Sequence, residues 1–137
     1  MGLSTALQQT IYTALTADVP LMAAIVAVYD DVPQVADSGA ASDFPFVTIG
    51  EDILRDWSTN TWSGAEALIT IHTWSRLPGR KETKAIQDLI YTALHRATLT
   101  IAGHTSVLID FQLSDSFLDP DGKTRHGTQD FRVKFYA

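Results

Sequence analysis

Two runs of alternating residues on either side of a tight turn set the strongest constraint on this chain. Val107, Ile109, Phe111 and Leu113 alternate with Leu108, Asp110 and Gln112, and Phe131, Val133 and Phe135 alternate with Arg132, Lys134 and Tyr136. Strand side chains point to opposite faces with a period of two, so each run reads as a half-buried strand. Between them, Asp119-Pro120-Asp121-Gly122 is a turn sequence. The proline presets φ, the aspartates bond their own backbone, and the glycine accepts conformations other residues avoid. The pattern predicts one hairpin with arms at about 107–118 and 124–136. Arms of that length are expected to reach past the core as an assembly arm, unless the sheet itself is long and twisted.

The remainder divides into helices and two further strands. Leu3, Leu7, Ile11, Ala14 and Leu15 fall on one stripe of a 3.6-residue period, with Ser4 as a plausible N-cap. Asp18-Val19-Pro20 breaks this helix and restarts a shorter one through Leu21, Ala24, Ile25 and Val28, with Pro20 at its first position. Residues 33–43 are small and turn-favouring and read as a loop. Phe44 to Gly50 reads as a strand, with Pro45 at its start or on an edge. A polar stretch containing Trp57 and Trp62 follows. Residues 65–75 place Ala67, Ile69, Ile71 and Thr73 on one face and Leu68, Thr70, His72 and Trp74 on the other, as a central strand would. After Leu77-Pro78-Gly79, residues 80–97 carry a helical stripe of Ile86, Leu89, Ile90, Ala93, Leu94 and Ala97. The order α-α-β-β-α-β-β predicts an α+β fold, a mainly antiparallel sheet with helices on one face and the long C-terminal β-hairpin. The 137 residues are expected to form one domain, 1–137, large enough to bury roughly two-thirds of its unfolded surface.

Charge is distributed unevenly. The chain has 10 basic and 16 acidic residues, a net charge of −6. Residues 1–54 contain no Lys or Arg but hold Asp18, Asp30, Asp31, Asp37, Asp43, Glu51 and Asp52. An acidic balance argues against a free-standing nucleic-acid-binding domain. The asymmetry suits head-to-tail packing of identical subunits or an acidic lining that faces a polyanion, and equally a solvated acidic face. There is no cysteine, so disulfides, thiolate metal sites and thiol nucleophiles are excluded. No apolar run approaches the roughly 20 residues of a membrane span, and the N-terminus lacks the pattern of a signal peptide. The expectation is an intracellular product, or one released only by lysis, with no membrane partner.

Candidate chemistry is sparse. His72, His95, His104 and His126 show no close ligand pairing, so neither a metal nor another cofactor is expected. His72, on the Trp74 face of its strand, is read first as a hydrogen-bonded structural histidine, and His95 as a charge at a helix C-terminus. No G-x-S-x-G occurs, the Asp119–Gly122 turn lacks a calcium loop's remaining ligands, and Gly79-Arg80-Lys81 is a weak anion signal. No catalytic residue is assigned. Trp57 and Trp62 are candidate interface anchors, equally able to fold back over local core.

Several segments together resemble the tail-completion, or tail-terminator, family of long-tailed bacteriophages and gene transfer agents. They are Leu15-Thr16-Ala17-Asp18, Tyr29-Asp30-Asp31-Val32-Pro33, the Phe44–Glu51 strand, Ile71-His72-Thr73-Trp74-Ser75-Arg76, and the Gly79 break. The helix with Glu82, Ile86 and Leu94, then Asp121-Gly122-Lys123-Thr124-Arg125-His126-Gly127 and Phe131-Arg132-Val133, complete the similarity over nearly the whole chain. The resemblance implies a structural subunit of a hexameric ring on the head-proximal end of the tail tube. Such a ring ends tube polymerisation, docks to the head's connector or stopper protein, and lets double-stranded DNA through its lumen. Its implied partners are copies of itself, the tail tube protein, the stopper and transiently passing DNA. In that setting the interface candidates are Trp57, Trp62, Phe117, Leu118, Arg125 and Arg132. The acids Asp30, Asp31, Asp37 and Asp43 are candidates for the lumen or a ring contact. Arg132 and Lys134 would discourage unwanted pairing of the hairpin. A head-side stopper or adaptor, and a small ligand-binding or hydrolytic domain built on His72, are the competing readings.

Overall fold

The computed structural model of this chain describes residues 3–29, 44–56, 58, 64–101 and 106–136. Its elements are α1 (Leu3–Thr16), α2 (Val19–Ala24), β1 (Val28–Tyr29), β2 (Phe46–Asp56), β3 (Gly64–Ser75), α3 (Lys81–Leu94), β4 (Ser106–Leu118) and β5 (Arg125–Tyr136). The strands form one five-stranded sheet in the order β1-β2-β3-β5-β4. Every pairing is antiparallel except β1 with β2. The α+β architecture and the C-terminal hairpin are as the alternation predicts.

The helices share one core with one face of the sheet. Leu7, Ile11 and Leu15 of α1 and Ile86, Ile90 and Leu94 of α3 are fully buried with Ala67, Ile69 and Ile71 of β3 and Phe131, Val133 and Phe135 of β5. Truncating one such Leu or Ile to Ala costs roughly 2–5 kcal/mol, because lost transfer energy and a residual cavity add. Beneath α3 the packing turns polar. Gln87 Nε2 donates to the carbonyls of Asp115 (3.0 Å) and Thr128 (3.3 Å), and Gln129 Nε2 donates to the Gln87 carbonyl (2.9 Å). This ties the helix to both arms of the hairpin. Gly127 permits the approach, since a Cβ there would lie 2.5 Å from Gln87 Nε2.

Local expectations differ at several points. Ser4 lies inside α1 and donates to Asp52 Oδ2 at 2.6 Å, fastening the helix to β2 instead of capping it. Asp18 caps α2 by accepting from the Leu21 N–H at 3.0 Å, and Pro20 sits one residue past the first helical position. That helix ends at Ala24, and Val28 pairs with Val47 in the sheet. Helix α3 stops at Leu94, short of Ala97, because Arg96 turns to φ 57° and donates its N–H to the Ile109 carbonyl. At the C-terminus of α3 the His95 Nδ1 accepts from the Phe111 N–H at 3.0 Å, tethering β4 to the helix.

Two bulges explain the strand differences. On β2 the register shifts between Ile49 and Asp52, so the strand continues to Asp56 with its alternation broken. On β4 it shifts between Phe111 and Leu113. Leu113 therefore leaves the face of Val107, Ile109 and Phe111 and is 60% exposed. The hairpin also does not project beyond the sheet. β5 pairs with β3 from Gly64↔Tyr136 to Ser75↔Arg125, so of the two arms only β4 lies at an edge of the sheet. Arg132 and Lys134 stand on an interior strand and cannot guard an edge.

Candidate assembly surface

The sheet face away from the helices holds an aromatic row. Phe46, Trp74, His126 and Phe117 are direct cross-strand partners in β2, β3, β5 and β4. Directly opposed side chains on one face stack, and aromatic pairs contribute beyond their buried area. Trp74 lies 3.8 Å from His126 centroid to centroid, Phe117 is 4.9 Å from His126, and Phe44 extends the row 5.0 Å beyond Phe46. The Arg76 guanidinium caps this end, 4.5 Å over the Phe44 ring. Trp74 Nε1 donates to Thr48 Oγ1 at 3.1 Å, satisfying its one polar group.

Beside the row, His72 and His126 form a pair. His72 Nδ1 and His126 Nε2 are 2.7 Å apart. The outer nitrogens face carboxylates: His72 Nε2 lies 3.4 Å from Glu51 Oε2, and His126 Nδ1 lies 3.5 Å from Asp119 Oδ1. Gly50 leaves room for the His72 ring, since a Cβ there would come within 2.5 Å of it. A neutral pair leaves one outer nitrogen bare before a carboxylate. One extra proton fills both outer positions, and a second would set two N–H donors against each other in the middle. Burial, followed by the neighbouring His72, lowers the proton affinity of His126 below its ordinary value, with Asp119 and Glu51 partly offsetting this. Glu51 is held below the usual carboxylate value by a backbone hydrogen bond first, and by both histidines against its partial burial.

Among the described residues no hydroxyl hydrogen-bonds either ring, and no cluster of three or more His, Asp or Glu could hold a metal. His72 does gather polar partners, which sequence alone did not find. His126 is 54 positions away, and only the β3–β5 register joins them.

Ile53, Leu68 and Leu108 are exposed, interspersed with Arg132, Lys134 and the Arg55–Glu66 ion pair at 2.9 Å. Of the sequence candidates, Phe117 lies in the aromatic row and Arg132 stands opposite Leu68 and Asp110. Leu118 and Arg125 are register partners at the turn end of the hairpin, on the helix side, and Leu118 is exposed. The structure thus brings Phe117, Leu118 and Arg125 to one end and leaves Arg132 at the other. Trp57, Trp62, Asp30, Asp31, Asp37 and Asp43 lie outside the described residues, as does the expected 33–43 loop. No described helix is long and apolar enough to cross a membrane.

Comparison with known proteins gives concordant results. The profile of the family described as Tail completion protein gp17 matches residues 9–136. The tail completion protein gp17 of Bacillus phage SPP1 is 30% identical over 133 residues, spanning 96% of this chain and 92% of that protein. A chain in the structure of the virion of a native gene transfer agent (GTA) particle superposes with a TM-score of 0.85 at 25% identity, covering 99% of this chain and 98% of that one. The structure of bacteriophage SPP1 gp17 protein superposes with a TM-score of 0.60, also at 25% identity, over 98% and 90% of the two chains.

Proposed function

The chain belongs to the Tail completion protein gp17 family, a family of structural tail proteins and not of enzymes, and on that premise we propose that it closes the head-proximal end of a tail tube. Copies of the chain, six by this reading, form a ring that stops tube polymerisation and presents a docking surface to the head connector. Double-stranded DNA passes through the lumen. The observation that carries this reading is the end-to-end superposition on a chain of a gene transfer agent virion.

The physical features agree with it. A ring of identical subunits needs two different surfaces that meet head to tail. The absence of any Lys or Arg before Arg55 gives the two halves of the sequence different electrostatic characters. Acids Asp30, Asp31, Asp37 and Asp43 on a lumen wall would repel phosphates, the opposite of a binding patch. The uncovered sheet face, with its aromatic row and exposed leucines, offers a surface to tube or connector. Deleting the gene tests this directly. Headless tails of abnormal length are expected; normal-length tails that still join heads would refute it. Co-purification with capsid and portal, and not with tails, would instead identify a head-side stopper.

A further inference from the structure

The His72–His126 pair is nearly closed off from water. The two side chains are 16% and 12% exposed, and the His126 ring lies between Trp74, 3.8 Å away, and Phe117, 4.9 Å away. Its nitrogens face His72 Nδ1 on one side and Asp119 Oδ1 on the other, and His72 sits likewise between His126 and Glu51. Further along the same face stand Asp115, the β4 partner of Thr128, and Asp130, the β5 partner of Thr70. Asp130 already accepts from Thr70 Oγ1 at 2.8 Å. Arg76, at the Phe44 end of the row, is engaged with Thr124 Oγ1 at 2.8 Å and with Asp121.

A first added proton suits this arrangement, because each outer N–H then meets a carboxylate while one hydrogen fills the middle. A second can enter only the middle, where two N–H donors face each other across 2.7 Å and two like charges share a nearly buried site. Burial, then the adjacent His72, accordingly hold the proton affinity of His126 below its ordinary value. A buried imidazolium with one N–H unmet gains by turning that N–H to water. His72 fills the gap above Gly50, whereas the outer partner of His126 belongs to the turn, and the way out past Phe117, 39% exposed, is short. The strands need not follow the ring. From the helix side Gln87 Nε2 holds the Asp115 and Thr128 carbonyls, which flank the row on β4 and β5.

We propose that the pair is an acid-operated release built into this face of the sheet: the contact survives a first added proton and breaks at the second, and His126 then swings off Trp74 and uncovers the indole. The folded chain thus has two forms of one surface, a closed aromatic row near neutral pH and an open one in acid, over the same helix-side core. This is a local change within the folded state, separate from the loss of overall stability in acid.

The test follows Trp74 alone, in a Trp57→Phe/Trp62→Phe background, together with 15N-labelled histidine. Both are read from pH 7.5 to pH 4.5, well below the melting temperature, while far-UV circular dichroism reports whether the chain stays folded. If the background variant folds poorly, the Trp74 indole N–H resonance of the parent chain replaces the emission. The expected result is a 15N–15N coupling across the His72–His126 hydrogen bond near neutral pH that disappears in acid. A red shift of Trp74 emission should accompany its loss, with the dichroism unchanged. His126→Phe, which keeps a ring on Trp74 and removes the titration, should show no shift. A coupling absent at pH 7.5 or persisting at pH 4.5 would overturn the proposal. So would emission that stays constant while the coupling is lost, as a flip of the ring in place would give, or an equal shift in His126→Phe. Dichroism lost in step with the emission would make the response global unfolding and also overturn it.

Discussion

His72 Nδ1 and His126 Nε2 lie 2.7 Å apart on the uncovered face of the sheet, with Glu51 and Asp119 closing the two ends of the pair. The contact joins β3 to β5 beside the Trp74–His126 stack, so His126 belongs both to the pair and to the aromatic row.

The first prediction concerns pH. Folding lowers the proton affinity of His126 from its ordinary 6.5, so near that pH the unfolded chain binds more protons than the folded one. Stability therefore rises with pH: the contribution is complete above about 6.5 and is lost as pH falls from there through the lower folded value. His126→Phe keeps a ring against Trp74 and removes the titration. Its melting temperature should fall less between pH 7.5 and pH 5.5 than that of the parent. Equal falls would contradict the account.

At more acid pH the turn responds separately. Hydrogen bonds from Thr124 and Lys123, with Arg76 nearby, hold Asp121 at about 2 against an ordinary 3.8. This contribution is present above pH 3.8 and is lost as pH falls towards 2. Asp121→Asn should flatten the acid limb of the unfolding curve while leaving the limb between pH 7.5 and 5.5 unchanged. Loss of the upper limb instead would mean the turn and the histidine pair are coupled.

Gly127→Ala drives a methyl group into Gln87 Nε2 and, at 2.9 Å, Thr83 Cγ2. Gln87 is anchored by two carbonyls and cannot simply swing aside. Overpacking of this kind costs about 1–3 kcal/mol, and urea unfolding should show it as a lower midpoint with an unchanged slope.

Phe117→Ser and Leu118→Ser separate stability from assembly. Phe117 packs on His126, so its loss should lower the melting temperature as well as tail completion. Leu118 is exposed, and its replacement should change stability by no more than about 0.5 kcal/mol while still impairing completion. A Leu118→Ser variant that completes tails normally would remove that residue from the interface.

If Asp30, Asp31, Asp37 and Asp43 line the lumen, replacing them with Lys should leave particles intact but slow DNA release, most at low salt. Release kinetics unchanged across salt concentrations would place these acids elsewhere.

The sequence was informative wherever one periodicity ran unbroken. The alternation of Ala67, Ile69, Ile71 and Thr73 marked β3 as a central strand, and Phe131, Val133 and Phe135 marked the buried face of β5. It misled where a bulge reset the period. The expected strand ends at Gly50, whereas β2 runs on to Asp56 past a bulge in which Gly50 and Glu51 together oppose Thr70, and Leu113 leaves the buried phase of its alternation because Gln112 is the extra residue in β4. β1, two residues long, carries too little pattern to be seen. The histidine pair and the aromatic row depend on register between strands far apart in sequence, which no local spacing encodes. Their only sequence trace is that Phe46, Trp74 and His126 each occupy the outward phase of a strand.

The most direct test of the central claim is electron microscopy of intact particles with this subunit labelled. The account predicts label confined to the junction between tail tube and head, in six copies per particle. Label distributed along the tube, or retained on tailless heads, would contradict it.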